Sequence, residues 1–279
     1  MKNPHPKILV IVGPTASGKS DLAVRLAKRL NGEVVSADSR QVYKGLDIGT
    51  GKITTAEMQG VPHHLLDVAS PKGSGAKAYT VAKYQKDASR AIDDILSLGK
   101  LPIICGGTGF YIQPLVDAVI LPDVVPNPAL RKKLAGKSPA ALFAILKKLD
   151  PARAKNIDPQ NSRRLIRAIE IAKALGKVPK IKKESSLYTP IFIGLNPPPT
   201  ILRQKIHTRL LARLSAKPSQ NMIEEVRRLH RAGLSWQRLH DLGLEYRYLA
   251  LFLQKKITRA KLIERLDFEI WHYAKRQLT

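Results

Sequence analysis

The chain has a single cysteine, Cys105, aromatic residues at only 5%, and 22 acidic side chains against 48 basic ones. One cysteine excludes an internal disulfide and a cysteine zinc cluster, and it fits a reducing compartment. No apolar run approaches the roughly 18 residues that a membrane-spanning helix requires. The opening segment, Met1 to Pro6, is short and polar and lacks the apolar stretch of a secretory signal. The expectation is a cytoplasmic protein with no membrane association. There is no G-x-S-x-G element, so a serine-hydrolase elbow has no support. The 279 residues, 44% apolar and 25% charged, suffice for one large domain or two modest ones with a sizeable core.

The shortage of acid is uneven. Residues 1–124 carry 15 basic and 11 acidic side chains, whereas residues 125–279 carry 33 and 11. The formal net charge of +26 therefore sits almost wholly in the second part, +22 against +4. Such an asymmetry predicts a near-neutral catalytic core joined to a surface for a polyanion, most simply nucleic acid.

Periodicity gives the organisation. Lys7 to Val12 is a short β-branched run and reads as a buried parallel strand, and Ser17 to Leu30 follows with amphipathic helical spacing. Glu33 to Ala37 reads as a second strand, Ala78 to Leu98 as a helix stopped by Gly99, and Leu101 to Cys105 as a third strand. This alternation predicts an α/β fold, a doubly wound parallel sheet. Pro122, Pro126 and Pro128 then mark a linker, after which Lys- and Arg-rich helical sequence runs to about Ser185 without a strand signal. Its segments are Asn127–Leu134, Pro139–Leu149 and Asn161–Leu175, so a helical insertion over 123–186 divides the core into 1–122 and 187–279. Pro190 to Leu195 returns to the sheet, and helices follow to the C-terminus.

Gly13-Pro14-Thr15-Ala16-Ser17-Gly18-Lys19-Ser20 fits G-x-x-x-x-G-K-[ST] at every fixed position and lies between a predicted strand and a predicted helix. The glycines let backbone N–H groups close around phosphate oxygens. The helix N-terminus adds positive potential, Lys19 a point charge, and Ser20 a ligand for Mg²⁺. The motif establishes a di- or triphosphate site without specifying a nucleotide. Asp38 falls just past the second strand, where a carboxylate can hold magnesium through water, accept a proton, or cap a turn; position alone leaves these open. Gly106-Gly107-Thr108-Gly109 is a second glycine-rich loop at the same sheet edge. Arg163, Arg164 and Arg167 form a basic stripe one turn apart on an inserted helix, suited to phosphate contacts. His63 and His64 are adjacent, lack metal-ligand spacing, and are expected to be structural.

Taken in order, GPTASGKS (13–20), SADSRQVYKGLDIGT (36–50), VPHHLLDV (61–68), GGTGFYI (106–112), QNSRRLIRAIEI (160–171) and YAKRQLT (273–279) resemble the tRNA dimethylallyltransferases, also called tRNA isopentenyltransferases. The resemblance spans nearly the whole chain. It implies a P-loop α/β core with a helical insertion gripping the anticodon stem-loop. The implied reaction transfers a dimethylallyl group from dimethylallyl diphosphate to the exocyclic amine of the adenosine 3′-adjacent to the anticodon. It further implies that Asp38 is the base toward that amine, that Ser20 lies near the diphosphate, and that Arg209 resembles the family arginine that helps bind it. Asp38–Gln41 (with Ser39 and Arg40) and Gln160–Arg164 (with Asn161, Ser162 and Arg163) match segments that contact tRNA. Thr108 and Arg131 match positions around the substrate nucleotide. Mg²⁺ is the implied cofactor, and no obligate protein partner is implied. Gly51, where members commonly have Ala, and the end at Thr279, where members usually continue with an aromatic pair, depart from the pattern.

Two other classes share part of this signature. A small-molecule kinase would use the P-loop and Asp38 but leaves the +22 second part unexplained. An RNA-stimulated NTPase would explain the charge but needs a Walker B acid, for which Val34–Asp38 is the nearest candidate.

Overall fold

A computed structural model describes residues 5–73, 78–180, 182–183, 186–217 and 220–278. Most of the opening hexapeptide, the Glu184–Ser185 end of the expected insertion and the final Thr279 therefore lie outside the described residues. The first part of the chain runs β1 (Lys7–Val12), α1 (Lys19–Arg29), β2 (Gly32–Ser36), α2 (Thr55–Met58), β3 (His63–His64), α3 (Val81–Ser97), β4 (Leu101–Gly106), α4 (Gly109–Val116) and β5 (Val119–Ile120). The insertion holds α5 (Pro128–Leu134), α6 (Pro139–Leu149), α7 (Pro151–Ala154) and α8 (Ser162–Leu175), followed by β6 (Lys182–Lys183). The chain closes with β7 (Thr189–Gly194), α9 (Pro199–Ser215), α10 (Met222–Arg231), α11 (Trp236–Leu242), α12 (Leu244–Leu253) and α13 (Arg259–Arg276).

Five strands form one parallel sheet in the order β3-β2-β4-β1-β7. Alternation along each strand sends side chains to two different cores. Ile8, Val10, Val35 and Ile104 face the larger core with α3, α4 and the C-terminal helices. Leu9, Ile11, Val34, Ile103 and Cys105 face α1, which buries Ala23, Val24 and Ala27 against them. The C-terminal layer follows helical spacing: α9 buries Leu202, Ile206, Leu210 and Leu214, and α13 buries Leu262, Leu266, Ile270 and Ala274.

The insertion has an apolar cluster of its own, in which Leu142, Leu146, Leu165 and Ile169 are fully buried. Each main helix there begins with a side-chain cap: Asn127 for α5, Ser138 for α6 and Asn161 for α8. Such caps satisfy first-turn N–H groups that a helix cannot satisfy internally. Where the chain leaves and re-enters the core, β5 and β6 pair antiparallel, Val119 with Lys183 and Ile120 with Lys182. This corrects the strand-free reading of the segment up to Ser185, because a two-residue pairing leaves no periodic trace. β3 was equally invisible. Its histidines are held structurally, His63 Nδ1 by Val61 O at 2.8 Å and His64 Nε2 by Glu33 Oε2 at 2.7 Å.

Candidate active site

Strands β1, β2 and β4 end at one edge of the sheet, and the loops beyond them meet. The loop after β1 is the P-loop. Gly13 (φ 150°) and Gly18 (φ 93°) take backbone conformations that side chains disfavour, and a Cβ on Gly13 would lie 2.6 Å from Leu195 O. Gly18 precedes the first turn of α1 without a side-chain cap, so that helix end presents N–H groups toward the cavity. Lys19 Nζ folds back to donate to Pro14 O at 2.5 Å. Burial holds the Lys19 ammonium below its ordinary pKa, with Arg209 adding to that shift and Asp38 opposing it.

The loop after β2 carries Asp38. Its Oδ1 accepts N–H groups from Arg40 at 2.8 Å and Gln41 at 3.3 Å, which fixes the turn. Its Oδ2 has no hydrogen-bond partner among the described residues, and Asp38 lines the cavity. Asp38 therefore caps a turn with one oxygen and keeps the other available. The loop after β4 locks this turn: Ser39 N–H donates to Thr108 Oγ1 at 3.1 Å, and Thr108 N–H to Ala37 O at 3.2 Å. The two loops touch so closely that a Cβ on Gly106 would sit 2.2 Å from Ala37 O. Arg40 is anchored elsewhere, its Nε donating to Leu242 O at 2.7 Å.

These loops enclose a cavity of about 700 Å³ whose far wall is built from α9, α12 and α13. It brings together Thr15 to Ser20, Asp38, Arg40, Gln41 and Arg209. Arg209 Nη2 donates to Gly51 O at 3.1 Å, and the guanidinium occupies the space that a Cβ on Gly51 would take. Gly13 and Pro14 brace the P-loop without lining this cavity, and Thr108 acts through Ser39. Arg131, Gln160, Asn161, Ser162, Arg163 and Arg164 do not line it either. Arg163 and Arg164 are exposed on α8. Arg131 on α5 instead makes a two-pronged ion pair with buried Glu170, 2.7 and 2.8 Å. Arg167 joins the same carboxylate at 3.3 Å and donates to Val124 O, so Arg163 and Arg164 remain as the exposed members of the expected three-arginine stripe.

Several residues that build the site were not singled out from the sequence. Glu225, 1% exposed, gathers the N–H groups of Asp47, Ile48 and Gly49 and the hydroxyl of Tyr246, shaping the loop that carries Thr50 and Gly51. Arg213 holds the carbonyls of Ile48 and Gly49 from the other side. Glu245 lines the cavity at the start of α12, and burial raises its pKa against the pull of Arg213 and Arg209. The buried Cys105 thiol, pushed up to about 11 by burial, is protonated at neutral pH and is no nucleophile. Among the described residues no group of three His, Cys, Asp or Glu could hold a metal, and no helix is long and apolar enough to cross a membrane.

The chain is similar from end to end to known proteins of one kind. The IPP transferase profile matches residues 41–279, and the isopentenyl transferase profile matches residues 6–75. The tRNA dimethylallyltransferase of Anoxybacillus flavithermus is 42% identical over 278 residues, covering 98% of this chain and 86% of the relative. A crystal structure of a tRNA isopentenylpyrophosphate transferase from Bacillus halodurans superimposes with a TM-score of 0.70 at 37% identity, covering 98% of this chain and 85% of the other. A eukaryotic dimethylallyltransferase captured in crystals acting on tRNA gives 0.76 at 26% identity, over 98% of this chain and 69% of the other. Fold, P-loop and end-to-end likeness converge, and the chain belongs to the IPP transferase family.

Proposed function

We propose that this chain transfers a dimethylallyl group from dimethylallyl diphosphate to the exocyclic amine of the adenosine 3′-adjacent to the anticodon in tRNA, releasing diphosphate. The observation that carries this reading is the meeting, in one cavity, of an anion cradle and a carboxylate with a free oxygen. A P-loop used in this way holds a leaving group and transfers no phosphoryl.

The N-terminal N–H groups of α1, Lys19 and Arg209 stabilise the charge that grows on diphosphate as the allylic C–O bond breaks. The allylic carbon gains cationic character and bonds to the adenine nitrogen, whose proton passes to Asp38 Oδ2. The amine is a weak nucleophile, so the proton acceptor matters most in the transition state. The donor set fits magnesium only as a companion of the diphosphate: Ser20 offers one hydroxyl at the head of α1, and no all-protein cage exists among the described residues. When bound there, magnesium would supply further charge neutralisation on the leaving group.

The anticodon stem-loop belongs on the basic second part of the chain, with Gln160–Arg164 on the insertion and Ser39–Gln41 beside the cavity as contacts. A loop nucleotide leaves its stack at lower cost than a paired one, which suits a target base that must enter a cavity. The test incubates the chain with unmodified tRNA and either radiolabelled dimethylallyl diphosphate or labelled ATP. Label in tRNA from the prenyl donor is the expected result; ATP hydrolysis or phosphoryl transfer with no prenylation overturns it.

A further inference from the structure

One residue joins three parts of the site that are far apart in sequence. Gln277 follows α13, and its Oε1 accepts the P-loop N–H of Thr15 at 2.8 Å. Its Nε2 donates to Gly107 O at 3.1 Å, in the loop after β4. The fit is close: a Cβ on Gly107 would lie 2.1 Å from Gln277 Nε2. The side chain also stands between the main cavity and a second one of about 370 Å³, lined by Val12, Ile112, Val116 and Phe192 among others.

The P-loop is therefore divided. Ahead of Gly18, Thr15 N–H is engaged by Gln277 and Ser17 N–H by Pro14 O at 3.3 Å. The part from Gly18 on, the head of α1, is left to receive an anion. A loop of small residues such as Pro14-Thr15-Ala16-Ser17, with Ala16 at φ 61°, has little side-chain packing to hold its shape. A cradle that must be ordered on binding loses affinity to one that is ordered beforehand.

We propose that Gln277 is a positioning residue of the donor site: its amide straps the P-loop to the Gly106–Gly107 loop and so holds the diphosphate cradle preformed. The strap needs both an acceptor and a donor at one side-chain end, which Gln supplies and Glu does not. This inference rests on the proposed function, which makes the cradle a diphosphate site.

The test compares Gln277→Ala, Gln277→Met and Gln277→Glu with the wild-type chain. Binding of inorganic diphosphate with Mg²⁺ is measured by calorimetry, and KM for donor and for tRNA by steady-state transfer. For Ala and Met, diphosphate affinity should weaken and donor KM should rise by roughly tenfold, the usual scale of one lost hydrogen-bonded bridge. KM for tRNA and the saturating rate should stay within about threefold, a split that general loss of folding would not produce. Glu keeps the acceptor for Thr15 but faces the Gly107 carbonyl and the anion with a negative charge, so it should bind diphosphate worse than Ala. Melting temperature identifies any variant that fails to fold, and Met preserves the volume if Ala does. Unchanged diphosphate affinity in folded Ala and Met variants overturns the strap, as does Glu binding better than Ala. Equal rises in both KM values would assign Gln277 to the tRNA surface and also overturn it. Absence of diphosphate binding by the wild type would instead refute the donor-site reading itself.

Discussion

Replacing Asp38 with Asn separates the two oxygens of one side chain. Oδ1 is the acceptor for Arg40 and Gln41 N–H, and Asn retains an oxygen for that duty. Oδ2, the free one, becomes an NH₂ that cannot accept a proton. The turn, and with it the Ser39–Thr108 link to the neighbouring loop, should therefore survive, and stability should change by less than about 0.5 kcal/mol. Chemistry should not survive equally. General-base catalysis contributes roughly 10²–10⁴-fold, so single-turnover transfer should slow by about that factor, or 3–5 kcal/mol in the barrier. Affinities for tRNA and diphosphate should move far less, because the lost interaction strengthens in the transition state. Asp38→Ala is the matched comparison: it removes both oxygens, loses two hydrogen bonds worth about 0.5–1.5 kcal/mol each, and should also lower the melting temperature. Rapid-quench single-turnover assays at two Mg²⁺ concentrations provide the readout. A rate for the Asn variant within about threefold of wild type refutes the base assignment, and rescue by high Mg²⁺ would reassign Asp38 to the metal.

Four further outcomes follow from the structure. Glu170→Ala should destabilise the insertion by about 2–3 kcal/mol, below the 3–5 of a fully buried pair because the Arg131 side chain is 42% exposed; loss of hydrogen-exchange protection in α5 and α8 reports it. Burial alone would raise the Glu170 pKa, but hydrogen bonds from Arg131 and Asn127 N–H hold it below its ordinary 4.5. Its stabilisation is thus present above pH 4.5 and lost as pH falls through the lower folded value, and acid hydrogen exchange in α5 and α8 should show that loss in wild type and not in Glu170→Ala. Gly106→Ala places a Cβ 2.2 Å from the Ala37 carbonyl, a backbone atom that cannot swing aside, so unfolding in urea should reveal a loss of about 1–3 kcal/mol along with lost transfer activity. Neutralising Arg163 and Arg164 together should reduce the salt slope of tRNA binding by roughly one to two, given about 0.7–0.9 per phosphate contact, and an unchanged slope would leave them on a solvated face.

By itself the sequence determined the features that short-range physics controls. The P-loop and its flanking strand and helix announce themselves because turn, strand and cap must be contiguous. The insertion helices are legible as the segments 127–134, 139–149 and 161–175, and the structure adds that Asn127, Ser138 and Asn161 each cap the N–H three residues on. The uneven charge follows from counting. What only the tertiary structure decided depends on partners far away in the chain. Nothing local marks Glu225 as the residue that gathers Asp47 to Gly49, or Gln277 as a partner of Thr15, 262 residues earlier. Arg167 reads as a phosphate-binding cation until Glu170 is seen buried beside it, since a charge looks free in sequence whatever it meets in space. Asp38 shows the division within one side chain: its spacing after β2 announced both a turn and a carboxylate, and only the fold engaged Oδ1 in the turn and set Asp38 in a cavity shared with α9, α12 and α13.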